Sequence, residues 1–599
     1  MNRSQYEEIK AAEWDYAVKR MEGIRNCKDP LVRYREGRPI IDIKHMLMTS
    51  AEIYADRPAF YDKDKPGGEY RAITYRQTLD EVNALGTALL NLGLKGKHIG
   101  VIGENCYQWA LSYLAVVCGV GVVVPLDKEL PAEELKNLCR ESDMAAIIYT
   151  PKYRGMFHDM RWLGNVPMEL YICTEASAES EELNLPALLE LGRQKLAAGD
   201  TSYADVIIER DKMGMLLFTS GTTGISKGVM LSHGNIAEEL MASPTLLQVK
   251  PSDIFFSILP LHHTYECTCS FLQPLYCGAS IAYCEGLRHI PKNLAEIKPT
   301  MLLCVPLILE SMYKKIWQQV RKSGMEKKLR KLLKINRISR KVGLNLVPKK
   351  ITDVFGGRMR TIIVGGAAID PDVLRGVQDF NITAVQGYGL TECGPICAMN
   401  PDVGFKDEAA GYAPPGFDLK IHQPDPETGI GEICARGGNI MLGYYKNPEA
   451  TAEALQDGWF HTGDLGYLDD DRFVYITGRK KNVIITKNGK NVYPEELEYY
   501  LDRSPYVQEV MVWGKDSEGT GETLIYASIL PNAEEVAQAL GENYSEEQVY
   551  DLISAEVDRI NENLPLFKKI KKIDIRKTEF DKTTTKKIKR YKEANKISG

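Results

Sequence analysis

The residues of this chain that could do chemistry lie in short glycine-rich clusters rather than as isolated side chains. The densest is Phe218-Thr-Ser-Gly-Thr-Thr-Gly-Ile-Ser-Lys-Gly228. An apolar run ends there in glycines, hydroxyls (Thr219, Ser220, Thr222 and Thr223 among them) and Lys227. Gly221, Gly224 and Gly228 let the backbone close on an anion and turn its N–H groups inward. The hydroxyls add neutral donors and Lys227 a charge, a composition suited to polyphosphate. The cluster is not a Walker loop, because Gly228 rather than Ser or Thr follows Lys227. A merely flexible turn is the rival reading; the apolar run before the cluster and VMLSHGN after it argue against that.

Downstream, Gln386-Gly-Tyr-Gly-Leu-Thr-Glu-Cys-Gly394 sets an aromatic ring, Tyr388, beside Gly387, with Thr391 and Glu392 just after it. A ring between glycines offers a flat face, and a carboxylate beside phosphate needs a cation between them. Its G-x-G is weak evidence for a dinucleotide fold, since the third glycine is missing. Trp459-Phe-His-Thr-Gly-Asp-Leu465 presents Asp464, an acid suited to ribose hydroxyls; an Asx-turn at a strand start is the alternative. Leu259-Pro-Leu-His-His-Thr-Tyr-Glu266 carries His262 and His263, pocket residues or core histidines. Near the end, Lys582-Thr-Thr-Thr-Lys-Lys-Ile-Lys-Arg590 is dense in lysine, a point charge suited to phosphate.

In this order the clusters resemble the motifs of the adenylate-forming (AMP-binding) enzyme superfamily: acyl-CoA synthetases, luciferases and peptide-synthetase adenylation domains. The likeness runs from about residue 45 to about residue 590. It implies that the 219–224 loop and Lys227 bind phosphates. It further implies that Tyr388 stacks on adenine, that Thr391 contacts the α-phosphate and that Glu392 holds Mg2+. Val364-Gly365-Gly366-Ala367-Ala368 would line the adenine and acyl sites. Asp464 and Arg479 would take the ribose, and His263 would lie near the substrate carboxylate. Lys587 falls on the family's catalytic lysine. Two departures, Lys586 for the usual glycine and Lys582 where proline is frequent, make Lys586 and Lys589 its rivals. Lys481 aligns with the residue whose dihedrals swing the C-terminal domain, and Gly489 with a pantetheine tunnel where a missing Cβ gives room. Amino-acid-activating members carry an Asp in the segment where residues 261–270 have none. A buried ammonium without a partner is costly, so an acid lacking an α-amine is expected.

These clusters need elements to carry them. Ile73–Leu94 has helical apolar spacing with Thr74 as N-cap; 98–103, 145–150 and 215–220 repeat a strand-then-turn pattern. Strands spaced by helices imply βαβ units and parallel sheets. From Asn105 to Leu126 there is no charge, which invites a membrane-span reading. Its glycines and Pro125 favour a helix stopping near Gly119 and a buried strand, 120–124. Turn-dense sequence fills 404–478. After Gly478 the pattern restarts with a helix opening at Pro494, a strand in VQEVMVWG and a capping box, Ser545-Glu-Glu-Gln548. Two domains are expected, 1–478 and 479–599, with the active site between them.

Composition narrows the class. The 599 residues are 44% hydrophobic and 26% charged, ordinary globular values that exclude disorder and collagen. A net charge of −6 argues against a nucleic-acid-binding surface. Thirteen cysteines without a C-x-x-C pair read as free thiols in a reducing compartment. Met1–Tyr16 has no apolar core of a secretory signal. Residues 314–350 hold fourteen Lys and Arg against Glu326 alone and are amphipathic. They read as a solvated helical face packed on the main domain or as a surface for anionic lipid.

The expectation is an α/β fold, a large N-terminal domain with parallel sheets flanked by helices plus a small mobile α+β lid. The expected enzyme is an acid-thiol ligase, most like a long-chain fatty acyl-CoA synthetase. It would use ATP, Mg2+ and CoA, be cytoplasmic and contact no nucleic acid. A medium-chain or aryl acid, a carrier-protein acceptor and a non-catalytic nucleotide-binding membrane adaptor are the alternatives.

Overall fold

The computed structural model describes the chain apart from residues 164–167, 178–181, 220–225, 340–343, 487–489, 517–522, 583–587, 591–592 and 594–599. Its contacts divide into two units. The first comprises Met1–Gly221, Ile225–Asp418 and Ala435–Phe460; the second is built from Leu419–Cys434 and His461–Gly599.

The first unit holds two eight-stranded sheets. In one, the order is Ile396–Met399, Thr383–Gly389, Thr361–Val364, Met301–Cys304, Ile254–Ser257, Ser280–Tyr283, Pro58–Lys63, Tyr70–Thr74. The six central strands are mutually parallel and only the two edges are antiparallel. In the other, Leu183–Asn184, Leu170–Cys173, Met144–Tyr149, His98–Ile102, Val122–Pro125 and Met213–Thr219 run parallel. Lys227–Ser232 and Gly443–Tyr444 close that sheet antiparallel. Apolar runs such as MLLC (301–304) are buried throughout, as strands covered on both faces must be. The helix expected after Ile73 is Tyr75–Asn91, with Thr74 and Gln77 forming a capping box.

The uncharged stretch after Asn105 folds as helix Tyr107–Ala115, a wide turn to Val120, and strand Val122–Pro125. The strand begins two residues later than expected. Gly121 explains the shift: it passes the neighbouring chain so closely that a Cβ would sit 2.1 Å from the Lys97 carbonyl oxygen. No described helix is long and apolar enough to cross a membrane.

The basic segment forms helices Pro306–Lys322 and Glu326–Ser339. Their apolar stripe (Ile316, Trp317, Leu329, Leu333) joins the core around Phe355 and Phe380. Asn336 donates to the Asp379 carbonyl at 3.1 Å, and Arg330 lies 4.4 Å over the Trp317 ring. The packed-helix reading is met, while Ile335, Ile338, Leu344 and Leu346 on the same segment remain exposed.

The second unit contains a three-stranded sheet, Val507–Asp516 antiparallel to Thr523–Pro531 and the latter parallel to Lys572–Ile575. Helices Pro494–Asp502 and Glu546–Asn561 supply Leu497, Leu501 and Ile553 to its core. Ser545 and Gln548 form the expected capping box.

Gly121→Ala forces backbone apart and should cost about 3 kcal/mol, the upper end of overpacking. Gly155→Ala lies in a helix with nothing within 4 Å and should be neutral or slightly stabilising. Thermal melts of the two variants check this; equal melting temperatures would contradict it.

Candidate active site

Parallel strands present their carboxyl ends along one edge of a sheet, where the following loops gather. Four adjacent strands do this in the first unit. Ile254–Ser257 leads into Leu259–Glu266, Met301–Cys304 into Val305-Pro306, and Thr361–Val364 into Gly365, Gly366 and Ala367. Thr383–Gly389 itself carries Gly387 and Tyr388 and leads into Thr391 and Glu392. Val364 pairs with Gln386, which sets Gly365 beside Gly387 one residue further on. The Thr264 and Thr391 hydroxyls meet at 3.2 Å. Tyr265 donates to the Ile363 carbonyl at 3.0 Å, and a Cβ at Gly365 would lie 2.9 Å from its ring. The structure thus brings together three of the expected segments; Tyr388 is 8% exposed.

On the second sheet, Met213–Thr219 and Lys227–Ser232 form a hairpin in which Thr219 pairs with Lys227. Ser220, Gly221, Thr222, Thr223 and Gly224 lie outside the described residues. Lys227 Nζ stands 4.8 Å from the centre of the Tyr444 ring, and the Tyr444 hydroxyl donates to Glu392 Oε1 at 2.9 Å. Sequence reasoning missed Tyr444. A Gly-Tyr-Tyr triplet in turn-dense sequence was its one signal, and only pairing of Gly443–Tyr444 with 229–230 reveals the contact. Glu392 and the Thr391 and Thr264 hydroxyls are hard oxygen donors; one carboxylate with hydroxyls suits Mg2+ shared with phosphate.

The two histidines lie ring to ring, 4.2 Å apart. Burial pushes His262 down to about 3, so it is neutral. His263 caps the short helix Thr264–Glu266. Beneath them a polar clasp fixes the loop. Asn105 donates to Ser257 Oγ at 3.0 Å and to the Leu259 carbonyl at 2.6 Å, and accepts from the Leu261 N–H at 3.3 Å. Ser257 Oγ donates to Glu266 at 2.6 Å. Burial pushes the Glu266 carboxyl up to about 8.

In the second unit Asp464 and Arg479 face each other across the strands Trp459–Leu468 and Val474–Arg479. Arg479 Nε lies 2.6 Å from Asp464 Oδ1, so the two residues expected at the ribose form an ion pair on a buried carboxylate. Glu432 accepts from the Gly463 N–H at 3.1 Å and pairs with His461 at 3.1 Å and Lys480 at 3.0 Å, bracing the turn before Asp464. Lys481 sits in the turn Lys480–Asn482. Gly489, Lys586 and Lys587 lie outside the described residues. Lys582 pairs with Glu509 and bridges to Ile588, while the Lys589 N–H donates to the Asp581 carbonyl.

A model described as AMP-binding enzyme matches residues 47–445, and one described as AMP-binding enzyme C-terminal domain matches 481–596. Fatty acyl-CoA synthetase A of Dictyostelium discoideum is 29% identical over 513 residues, covering 81% of this chain and 75% of that protein. Long-chain-fatty-acid–CoA ligase 5 of Rattus norvegicus is 30% identical over 492 residues, covering 75% and 70%. Among solved structures, the anthranilate CoA ligase AuaEII in complex with anthranoyl-AMP has a TM-score of 0.73 at 21% identity, covering 94% of this chain and 97% of that one. That likeness shows a shared fold of a large α/β portion with parallel sheets and a smaller C-terminal portion.

The raised carboxyl of Glu266 has a consequence for stability. Between its ordinary value near 4.5 and about 8 the folded chain holds a proton that the unfolded chain releases. Its contribution is therefore full below pH 4.5 and fades as pH rises to 8. Glu266→Gln, neutral at every pH, should gain stability relative to the parent as pH rises from 5 to 8.5. Melting curves at both pH values check this; a pH-independent difference would contradict it.

Proposed function

The chain belongs to the AMP-binding enzyme family, and on that premise we propose that it activates a medium- to long-chain fatty acid as acyl-AMP and passes the acyl group to CoA. The observation that carries this reading is the assembly of Thr391, Glu392, Thr264 and the glycines 365, 366 and 387 at one sheet edge, with Lys227 tied to Glu392 through Tyr444. The named activities of the curated relatives support the fatty-acid class.

In this reading an oxygen of the substrate carboxylate attacks the α-phosphorus of ATP, and pyrophosphate leaves with the broken P–O bond. The CoA sulfur then attacks the acyl carbon, AMP leaves, and the thiol proton goes to solvent. Thr391 and Lys227 hold the phosphates, and Lys587 offsets charge developing on them. Glu392 with the neighbouring hydroxyls would hold Mg2+, which supplies charge neutralisation at the phosphates. Tyr388 stacks on adenine. Asp464 accepts from the ribose hydroxyls, with Arg479 holding it in place. Neutral His262 and the clasp of Asn105, Ser257 and Glu266 hold His263 at the acid. Rotation of the C-terminal portion, from residue 479 onward, about Lys481 would exchange Lys587 for the CoA channel at Gly489, excluding water from the mixed anhydride between steps.

The 314–350 segment fits a peripheral contact with an anionic membrane surface. Its amphipathic stripe is spent in the core, but Ile335, Ile338, Leu344 and Leu346 are exposed, as are Lys327, Lys331, Lys334, Lys349 and Lys350 of the same segment. The Leu346 N–H donates to Asn336 Oδ1 at 2.8 Å and the Leu344 N–H to the Ser339 carbonyl at 3.1 Å, which gathers these apolar side chains at the end of one helix. Exposed apolar side chains on a lysine-rich segment suit an anionic interface.

ATP–pyrophosphate exchange across acids from acetate to palmitate, with benzoate and free amino acids, tests the substrate class. Exchange should peak at medium to long fatty acids; strong exchange with an amino acid would sink the reading, and a peak at benzoate or preference for holo-carrier over CoA would replace it. Lys587→Ala should slow acyl-AMP formation about 10²–10³-fold while sparing thioester formation from supplied acyl-AMP. The same change at Lys586 or Lys589 should leave both half-reactions at the parent rates.

Cosedimentation with phosphatidylglycerol vesicles tests the surface. Binding should fall with salt and with Ile338→Glu plus Leu344→Glu, leaving exchange with a soluble acid intact. No binding at low salt, or variants that bind as well as the parent, would leave only a solvated face.

A further inference from the structure

Tyr444 belongs to none of the motifs, yet it touches two groups that the proposed function places on phosphate and metal. It is 7% exposed, in a two-residue strand paired with Lys227–Ser232. Tyr444 faces Val229, which makes Lys227 its diagonal neighbour on the same side of the sheet. The Lys227 ammonium accordingly lies 4.8 Å from the ring centre, within the range of a cation–π contact. On the other side the phenol donates to Glu392 Oε1 at 2.9 Å, one of the two carboxylate oxygens.

The segment holds Glu392 twice. Its main chain does so as well, because the Met441 N–H donates to the Glu392 carbonyl at 2.8 Å. Tyr444 is itself pinned: its N–H donates to Thr451 Oγ1 at 2.9 Å, and Thr451 Oγ1 donates to the Asn447 carbonyl at 2.8 Å. A buried phenol against a carboxylate keeps its proton, since burial and then the Glu392 charge raise its pKa well above the ordinary value.

We propose that Tyr444 is a positioning residue that couples Glu392 to Lys227, its hydroxyl fixing the carboxylate and its ring seating the ammonium. The metal-holding and phosphate-holding groups are then set relative to one another before nucleotide arrives. The inference rests on the proposed roles of Glu392 and Lys227 and adds the link between them. A tyrosine that merely fills space would be replaced by phenylalanine without consequence for either group.

The test uses the full chain with ATP as ligand and Mg2+ varied, followed by calorimetry, with melting temperatures measured in the absence of both. Tyr444→Phe keeps the ring and removes the hydroxyl. It should raise half-saturating Mg2+ roughly tenfold, the scale of one hydrogen bond to a charged group. ATP affinity at saturating Mg2+ and the melting temperature should stay at the parent values. Tyr444→Leu removes the ring too and should also weaken ATP at saturating Mg2+. Glu392→Gln is the reference. If Glu392→Gln shifts the Mg2+ dependence and Tyr444→Phe does not, the coupling is wrong and the role of Glu392 stands. If Glu392→Gln shifts nothing, the metal-holding role fails and the coupling falls with it. Variants that change only the melting temperature would likewise overturn the proposal.

Discussion

The candidate site depends on the register of four parallel strands. Val364 opposite Gln386, and Leu302 opposite both Phe256 and Ile362, decide which residues stand at the sheet edge. A one-residue slip would turn every side chain to the other face and remove Tyr388 from the edge. The register is protected by burial: nearly all residues of Ile254–Ser257, Met301–Cys304 and Thr361–Val364 are buried, so any slip exposes core and buries loop. Gly365 shows how tight the arrangement is. Tyr265 occupies the space a Cβ would need, and its hydroxyl is tied to the strand that precedes the glycine.

Around that edge charge is distributed selectively. His262 is neutral because burial leaves its cation unsolvated, and Glu266 is held protonated over much of the physiological range for the same reason. Glu266 serves as a neutral hydrogen-bonding part of the scaffold, and His262 as a neutral ring packed on His263. Lys227 and Glu392, by contrast, are partly exposed, where ligand phosphate and a cation could reach them. In the second unit Asp464 is kept beside Arg479 and backed by the Glu432 brace, so a buried acid has a partner within the chain. Fixing these groups in advance spares the reorganisation that flexible side chains would demand when charge develops on phosphate.

Most of this was legible in the sequence where chemistry is local. A capping box announces a helix start, as Thr74 and Ser545 do, because donor and acceptor lie three residues apart. Motif clusters announced themselves through glycine and hydroxyl density. What stayed hidden depends on contacts between distant segments. Tyr444 meets Glu392 across 52 positions, and Asn105 meets Leu259 across 154. The basic segment was ambiguous for a related reason: an amphipathic stripe looks the same whether it faces a core or a bilayer. Only Leu329 and Leu333 packing with Phe355 shows which face is spent. The strand start at Val122 was missed because the close approach of Gly121 to Lys97 is invisible in one dimension.

The central claim is that an acid is activated through its adenylate. The most direct measurement supplies a fatty acid labelled with oxygen-18 in its carboxylate, together with ATP, Mg2+ and CoA, and follows the label by mass spectrometry. Attack of the carboxylate on the α-phosphorus transfers a labelled oxygen to AMP and leaves pyrophosphate unlabelled. Label in AMP with thioester formed is the predicted result. Label in inorganic phosphate with ADP as the nucleotide product, or thioester formed with unlabelled AMP, would contradict the account.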